Sequence, residues 1–316
     1  MAPDPPIVII GSMDDPHVRR VVDFAPRRRA LTVFDAASIQ RLSYRVSGAM
    51  IQVESVGGQG LVDLGSAHRG WIRRPLPPAW NHGVVTGSKQ SAINSGWQSL
   101  VAFLARNPRC SWLTGFDALL SAENKLTQGV AASSLGIEAP RTFVGDVLDG
   151  DLPDVELVVA KPLGMELFWL DRSRSLKVFA SAIDPRDPVI RAHLSGSPFL
   201  LQTKLTARRH LRVVTVADRS WAFELDAVGL PLDWRIDPSA HHSWKFTRAT
   251  AIERQALQIA AAMSVRFSSQ DWIENDDGAF FIDLNPGGQW LFLPEPHTAE
   301  VAAQIASWLS GDTHLT

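Results

Sequence analysis

Apolar runs and polar breaks alternate along the first third of the chain. The runs predict buried strands at Ile7–Ile10 and Leu31–Phe34, with a helix near His17–Phe24 between them. A further strand is expected at Gly70–Pro75, before a proline-rich loop that extends through Pro78. Because strands and helices alternate, this region predicts an open α/β lobe over about the first 110 residues.

The middle of the chain is predicted to contain a helix followed by a short strand. Ser121 is a plausible N-cap, and Leu126 and Val130 lie one turn apart on the helix that would follow it. Gly136 is expected to end that helix. Leu157–Ala160 is a short apolar run that predicts a strand.

Beyond Phe199 the pattern changes to paired strands and two amphipathic helices. Phe199–Thr203 is an apolar strand, and a turn at Asp218-Arg219 predicts a hairpin between Leu211–Ala217 and Trp221–Leu225. Apolar residues at helical spacing predict the two helices. These residues are Ile252, Ala256, Ile259 and Met263 in the first helix, and Val301, Ile305 and Leu309 in the second, which Gly311 ends.

Length, charge and cysteine content narrow the class of protein. At 316 residues the chain exceeds one hydrophobic core, so two or three lobes are expected. A net charge of −2 gives no reason to expect nucleic acid or a membrane as a partner. The single cysteine, Cys110, allows no internal disulfide and is expected to be structural. The first apolar run is too short for a signal peptide, which favours a cytoplasmic protein.

An acidic hairpin is the most informative local feature. Asp271 begins a strand, Asn275–Gly278 is a turn signal, and Ala279–Leu284 is the returning strand. Pairing about this turn places Asp271 opposite Asp283 to within about one residue, and Asn285 shares a face with Asp283. Carboxylate and amide oxygens grouped in this way suit magnesium bound to nucleotide phosphates. A polar sheet edge would also explain the hairpin when it is considered alone.

A series of short motifs, in this order and spacing, resembles the ATP-grasp enzymes. The motifs are Glu123-Asn124-Lys125, Val159–Pro162, Leu201–Lys204, Leu211-Arg212-Val213, Asp271 and Asp283–Pro286. Two more stretches, Ile72–Pro75 and Asn285–Trp290, resemble the microviridin-type branch of that family. Enzymes of this branch, the graspetide synthetases, make side-chain ester or amide crosslinks in ribosomally made peptides.

The resemblance covers most of the chain and implies its fold. The expected class is α/β with α+β lobes, an ATP-grasp fold preceded by an N-terminal α/β domain. The implied division is a pre-ATP-grasp domain at residues 1–118, a central lobe at 119–198 and a C-terminal lobe at 199–316.

The resemblance also implies roles for individual residues. Lys125 and Lys161 would lie along the triphosphate as point cations, and Lys161 would also assist catalysis. Arg212 would hold the γ-phosphate or an acyl phosphate, where a planar guanidinium suits phosphate oxygens. The hinge whose backbone meets adenine would comprise Gln202, Thr203, Lys204 and Leu205. Magnesium would be held by Asp271, Asp283 and Asn285, the last of which would also contact the nucleotide.

Several positions depart from the family pattern or are open to a second interpretation. Aspartate stands at position 283 where the family usually has glutamate, and only Gly164 represents the glycine-rich loop after the second lysine. His210 replaces an acidic residue two positions before the arginine. Arg235 fits a substrate contact or a surface salt bridge equally well, and Gln289-Trp290 fits packing as well as function.

Together these features predict an ATP- and magnesium-dependent carboxylate–amine or carboxylate–alcohol ligase that acts through an acyl phosphate. The expected substrate is a precursor peptide with a leader and an acidic core, in which the enzyme forms crosslinks. Two alternatives stay open: a RimK-like ligase that joins amino acids or extends a protein terminus, and a non-catalytic ATP-binding protein. A homodimer also stays open.

Overall fold

The computed structural model describes most of the chain in eleven ranges. These are residues 6–26, 31–35, 39–47, 50–55, 61–63, 68–74, 84–145, 157–164, 167–169, 175–194 and 198–311. The predicted proline-rich loop, from Pro75 through Pro78, lies outside them. So does the part of the loop after Lys161 that follows Gly164 directly.

The N-terminal part is built on a parallel sheet. Its elements are β1 (Ile7–Ile10), α1 (Pro16–Phe24), β2 (Leu31–Phe34), β3 (Leu42–Ser47), β4 (Met50–Ser55), β5 (Leu61–Asp63), β6 (His68–Ile72), α2 (Lys89–Ala105) and β7 (Cys110–Trp112). Strands β2, β1, β6 and β7 run parallel in that order, and β3, β4 and β5 form an antiparallel sheet. The predicted α/β lobe is confirmed. Cys110 is buried, and burial raises the pKa of its thiol, in keeping with a structural role.

The middle part carries an antiparallel sheet. Its elements are α3 (Phe116–Ala122), α4 (Lys125–Ser134), β8 (Thr142–Gly145), β9 (Val158–Pro162), β10 (Leu167–Trp169), β11 (Ser175–Lys177), β12 (Ser181–Ile183), α5 (Pro188–Leu194) and β13 (Phe199–Thr203). The strands pair in the order β12, β9, β13 and β8, and β10 pairs with β11. The central strands β9 and β13 bring Lys161 beside Leu200, next to Gln202.

The predicted start of the middle helix is wrong. Ser121 lies in the last turn of α3, and a separate helix, α4, begins after Asn124. The Asn124 side chain accepts hydrogen bonds from the backbone N–H groups of Leu126 (2.9 Å) and Thr127 (3.2 Å). Asparagine is as good an N-cap as serine, so the sequence pattern did not show whether Ser121 or Asn124 precedes the helix. The predicted end is confirmed, because Gly136 follows the helix with φ of 65°.

The buried face of α4 is not the one that carries Leu126 and Val130. Leu126 is 36% exposed and Val130 is 71% exposed, whereas Gln128 and Ala132 are buried. The Gln128 side-chain amide donates to the carbonyl of Leu284 (2.8 Å) and accepts from its N–H (2.9 Å). A polar side chain is therefore buried because it satisfies the backbone of a strand.

The C-terminal part contains a five-stranded antiparallel sheet. Its elements are β14 (Arg209–Val216), β15 (Arg219–Asp226), β16 (Lys245–Thr247), α6 (Thr250–Ala262), β17 (Phe267–Asn275), β18 (Gly278–Asn285) and α7 (His297–Ser310), with short 3-10 helices at Trp234–Ile236 and Pro238–His242. The strands pair in the order β16, β15, β14, β17 and β18. The predicted hairpin and both amphipathic helices are confirmed, with Met263 as the C-cap of α6 and Gly311 as that of α7.

Both faces of this sheet are covered. One face packs Leu211 and Val213 against Ala256 and Ile259 of α6. The other packs into a core that α7 shares with β1 and α1 of the N-terminal part. That shared core includes Ile7, Ile9, Val18, Val21, Val214, Val216, Trp290, Val301 and Ile305. The predicted domain boundaries after residues 118 and 198 stay predictions. Within the described ranges, no helix combines the length and apolar character needed to cross a membrane.

Candidate active site

Three charged side chains stand in one row across three neighbouring strands. Arg212 of β14 is paired in register with Asp271 of β17, and Asp271 is paired with Asp283 of β18. A bulge follows Asp271 on this edge of the sheet. The predicted pairing of Asp271 with Asp283 is therefore confirmed, and the structure adds Arg212 on the other side of the same aspartate.

Arg212 and Asp271 form a two-point ion pair. The Arg212 Nε atom donates to Asp271 Oδ1 at 3.0 Å, and Nη2 donates to Oδ2 at 3.2 Å. The guanidinium carbon also lies 5.3 Å from the ring centre of Phe292 and 6.0 Å from that of Trp234. Because its side chain is only 12% exposed, the arginine is held in one orientation rather than solvated.

A cleft beside this row gathers residues from the middle and C-terminal sheets. It encloses about 950 Å³ of empty space, which includes open solvent at its mouth. Seven of the predicted site residues line it: Lys125, Lys161, Gln202, Thr203, Leu205, Asp271 and Asp283. His210, Asp233 and Arg235 line it as well. Lys204, Arg212 and Asn285 are the predicted residues that do not line the cavity itself.

Lys161 is oriented by a chain of side-chain hydrogen bonds. Its Nζ atom donates to Gln202 Oε1 at 2.8 Å, and Gln202 Nε2 donates to Thr142 Oγ1 at 3.1 Å. Gln202 is buried on β13, so the acceptor for the lysine has little freedom. Next to it, the Thr203 N–H is already bonded to the carbonyl of Arg141 (3.0 Å). The backbone N–H of Thr203, a residue of the predicted adenine hinge, is therefore occupied by a hydrogen bond within the protein.

Lys125 reaches the cleft because α4 is attached to the acidic strand. Lys125 is the first residue of α4, and Gln128, one turn later, bonds both backbone groups of Leu284. Leu284 directly follows Asp283, so this contact fixes the start of the helix beside the aspartate. Gln128 was not among the predicted site residues, and its placement between two apolar helix positions was the only signal for its burial.

A second ion pair also lines the cleft. Arg235 donates to Asp233 through Nε (2.8 Å) and Nη2 (2.7 Å), so the predicted salt bridge exists and also lines the cleft. Burial raises the pKa of Asp233, but the hydrogen bond and charge of Arg235 outweigh it and hold that pKa below its usual value. Burial lowers the pKa of His210, and nearby Asp271 and Asp233 offset this only in part.

The loop after β18 holds the last predicted metal ligand. Asn285 Oδ1 accepts from the N–H of Gly287 at 2.9 Å. Trp290, at the end of the same loop, is fully buried and packs edge-on to His17 with ring centres 4.3 Å apart. Of the two interpretations of this tryptophan, the structure supports packing.

The donor set suits magnesium that is shared with nucleotide phosphates. Within the described ranges, no group of three or more His, Cys, Asp or Glu side chains could hold a metal ion. Two opposed carboxylates with one amide oxygen leave further ligand positions to phosphate and water, as magnesium at nucleotide sites requires. The lysines in the same cleft provide the positive charge that a triphosphate needs.

Comparisons with known proteins bear on the fold. No protein-family model matches the chain, and no curated protein matches it by sequence. Solved structures do match. An RiPP-associated ATP-grasp ligase from Chryseobacterium gregarium, in complex with ADP and a leader and core peptide, is 18% identical with a TM-score of 0.82, covering 98% of each chain.

Two further structures give the same result. The macrocyclase MdnC from Microcystis aeruginosa, bound with the precursor peptide MdnA, is 18% identical with a TM-score of 0.79, covering 97% of this chain and 100% of that chain. The ATP-grasp ligase PsnB, complexed with minimal precursor, Mg and ADP, is 16% identical with a TM-score of 0.72, covering 97% and 98%. The chain therefore has the ATP-grasp ligase fold, as its motifs predicted.

Proposed function

We propose that this protein is an ATP- and magnesium-dependent ligase that forms side-chain ester or amide crosslinks in a ribosomally made precursor peptide. One observation carries the proposal. Two lysines and two opposed aspartates line a single cleft between two sheets, and one of these aspartates orients an arginine beside it. These groups come from distant parts of the chain, and they are the types of side chain that bind a nucleoside triphosphate with magnesium.

Each residue has a role that follows from its position. Lys125 and Lys161 both line the cleft and would neutralise the phosphates. Asp271, Asp283 and Asn285 would hold magnesium, which would neutralise charge on the phosphate oxygens when bound. Arg212 would hold the γ-phosphate or an acyl phosphate, and Asp271 orients its guanidinium before substrate arrives. Catalysis of this kind is mostly positioning and charge stabilisation.

A peptide substrate is supported by the solved structures of the same fold. The Chryseobacterium ligase, MdnC and PsnB were each solved with precursor peptide. A carboxylate substrate also fits the second ion pair, because Arg235 lines the cleft and could exchange Asp233 for a peptide carboxylate. We infer an acidic core in the peptide on that basis.

The proposal is tested by incubating the protein with acidic peptides that also contain Ser, Thr or Lys, together with ATP and magnesium. The expected product is lighter by one water for each bond, with equal ADP release. Lys161→Ala and Asp283→Ala should abolish both signals, whereas Lys245→Ala, an exposed lysine on β16, should not.

Two outcomes would contradict the proposal. ADP release stimulated by free amino acids, without any change in peptide mass, would select the amino-acid ligase instead. Tight ATP binding with no turnover on any acceptor would select the non-catalytic alternative.

A further inference from the structure

A buried arginine of the N-terminal sheet lies against the loop that follows Asn285. Arg73 comes directly after β6, and its side chain is 1% exposed. Its Nη1 atom donates to the carbonyl oxygens of Gly287 and Gly288, the second at 3.2 Å. The guanidinium carbon lies 5.7 Å from the ring centre of Trp290. One cation thus contacts several consecutive parts of this loop.

The same two glycines hold Asn285. The N–H of Gly287 donates to Asn285 Oδ1 at 2.9 Å, and the N–H of Gly288 donates to the Asn285 carbonyl at 3.2 Å. The loop therefore has its amides bound to Asn285 and its carbonyls bound to Arg73. Any shift of the arginine moves the groups that orient the asparagine side chain.

Arg73 is itself held by the start of α1. Its Nε atom donates to Asp15 Oδ2 at 3.0 Å, while Asp15 Oδ1 accepts from the N–H of His17 (2.8 Å) and lies 2.9 Å from its Nδ1. His17 Nε2 then accepts from the N–H of Trp290 at 3.2 Å. Asp15, His17 and Arg73 thus bind the loop near both of its ends.

Burying a guanidinium group costs free energy, because the charge loses its hydration. Replacing a buried ion pair with apolar side chains is often neutral or stabilising, so packing alone does not explain an arginine here. Burial lowers the pKa of Arg73 to about 10, so the group stays cationic at neutral pH. What an apolar side chain could not supply is the pair of bonds to the loop carbonyls.

We propose that Arg73 is a positioning residue that sets the loop after β18, and through it Asn285, for metal binding. The inference rests on the proposed function, because Asn285 acts as a ligand only in that case. Residues that orient metal ligands typically change metal affinity by about 10- to 100-fold when they are replaced. The N-terminal domain thereby takes part in the metal site without touching the ion.

The test compares Arg73→Lys with a matched control, Arg69→Lys. Arg69 lies on β6, the strand that Arg73 follows. It donates to the Trp308 carbonyl at 2.8 Å, and its guanidinium carbon lies 5.0 Å from the centre of the Trp308 ring, so it makes similar contacts to α7 instead of the loop. Binding of Mn²⁺ in the presence of ADP is measured by electron paramagnetic resonance. Arg73→Lys should weaken Mn²⁺ binding about tenfold. Affinity for ADP without metal should stay unchanged, and Arg69→Lys should bind Mn²⁺ like wild type.

A second readout is independent of the metal. Amide hydrogen exchange at Gly287–Trp290 should become faster in Arg73→Lys and stay unchanged in Arg69→Lys. If Arg73→Lys does not fold, Asp15→Asn replaces it, since this change keeps a capping side chain but removes the charged partner of Arg73. Asp15→Asn should likewise weaken Mn²⁺ binding and make amide hydrogen exchange at Gly287–Trp290 faster.

The outcomes separate the two ideas. A folded Arg73 variant with wild-type Mn²⁺ affinity, while the wild type binds Mn²⁺ and ADP, overturns the positioning role and leaves the proposed function standing. A wild-type protein that binds no Mn²⁺ with ADP overturns the proposed function, and the metal role of Arg73 falls with it. Faster loop exchange together with weaker Mn²⁺ binding supports the inference.

Discussion

The guanidinium of Arg212 and the carboxylate of Asp271 face each other on adjacent strands, joined by hydrogen bonds of 3.0 and 3.2 Å. The pair fixes the arginine before any ligand is present. It also gives Asp271 a second partner besides the predicted metal. A carboxylate has enough lone pairs to serve both at once.

Arg212→Lys should lower kcat for ADP release about 100-fold, with a smaller effect on the KM for ATP. Lysine keeps the charge but cannot make the two-point contact with Asp271 or present a planar face to a phosphoryl group. Arg209→Lys is the control, because Arg209 lies on the same strand and pairs with Glu224 and Glu274 instead. Equal losses in both variants would show that the strand, not the site, was damaged.

Gln202→Met should raise the KM for ATP about tenfold, with little change in Tm. The substitution keeps the volume of the side chain but removes the acceptor that orients Lys161, and a hydrogen bond to a charged group is worth about 1.5–3 kcal/mol. Steady-state kinetics with varied ATP measure the effect. Thr142→Val, which loosens Gln202 but leaves its contact with Lys161, should give a smaller rise. An unchanged KM in Gln202→Met would disprove the orienting role.

Gly288→Ala should lower Tm by several degrees, because an added Cβ would lie 2.3 Å from the Cβ of Ser269. In the Ser269→Gly/Gly288→Ala double variant, the Cβ of residue 269 is absent, so part of the lost Tm should be restored. Gly96→Ala serves as the comparison. It meets no atom within 4 Å and lies inside α2, so helix propensity should stabilise it by about 0.5–1 kcal/mol. Thermal unfolding of the wild type and the three variants measures these changes. A double variant with the same lowered Tm as Gly288→Ala would contradict the prediction.

Stability should fall as the pH decreases below about 6.5, in part through His17. Burial lowers the pKa of His17 from its ordinary value of 6.5, and the hydrogen bond that His17 donates to Asp15 offsets this only in part. The unfolded chain therefore takes up a proton that the folded chain resists. The bond to the Trp290 N–H needs an unprotonated Nε2, which gives the same sign independently.

The measurement is the urea midpoint of wild type and His17→Gln between pH 7.5 and 5. The urea midpoint should decrease less with falling pH in His17→Gln than in the wild type. The decrease should not vanish, because burial also lowers the pKa of His210. Parallel curves for the two proteins would show that His17 is not responsible.

Local sequence patterns predicted half of the described strands and the acidic hairpin, because strand periodicity and turn chemistry are short-range properties. Pairing of Asp271 with Asp283 followed from the turn at Asn275–Gly278 alone. What the patterns could not show were contacts between distant segments. Gln128 reads as a polar helix position until Leu284 is placed beside it, and Arg73 reads as a strand end until the loop after β18 lies against it.

Helix α7 has a consequence for how the protein folds. Val301 and Ile305 belong to the same core as Ile7, Ile9 and Val18, so β1 buries its apolar side chains partly against a helix that lies far away along the chain. Contacts between such distant segments form late and slowly. The N-terminal sheet therefore keeps part of its apolar surface uncovered during folding until His297–Ser310 packs against it.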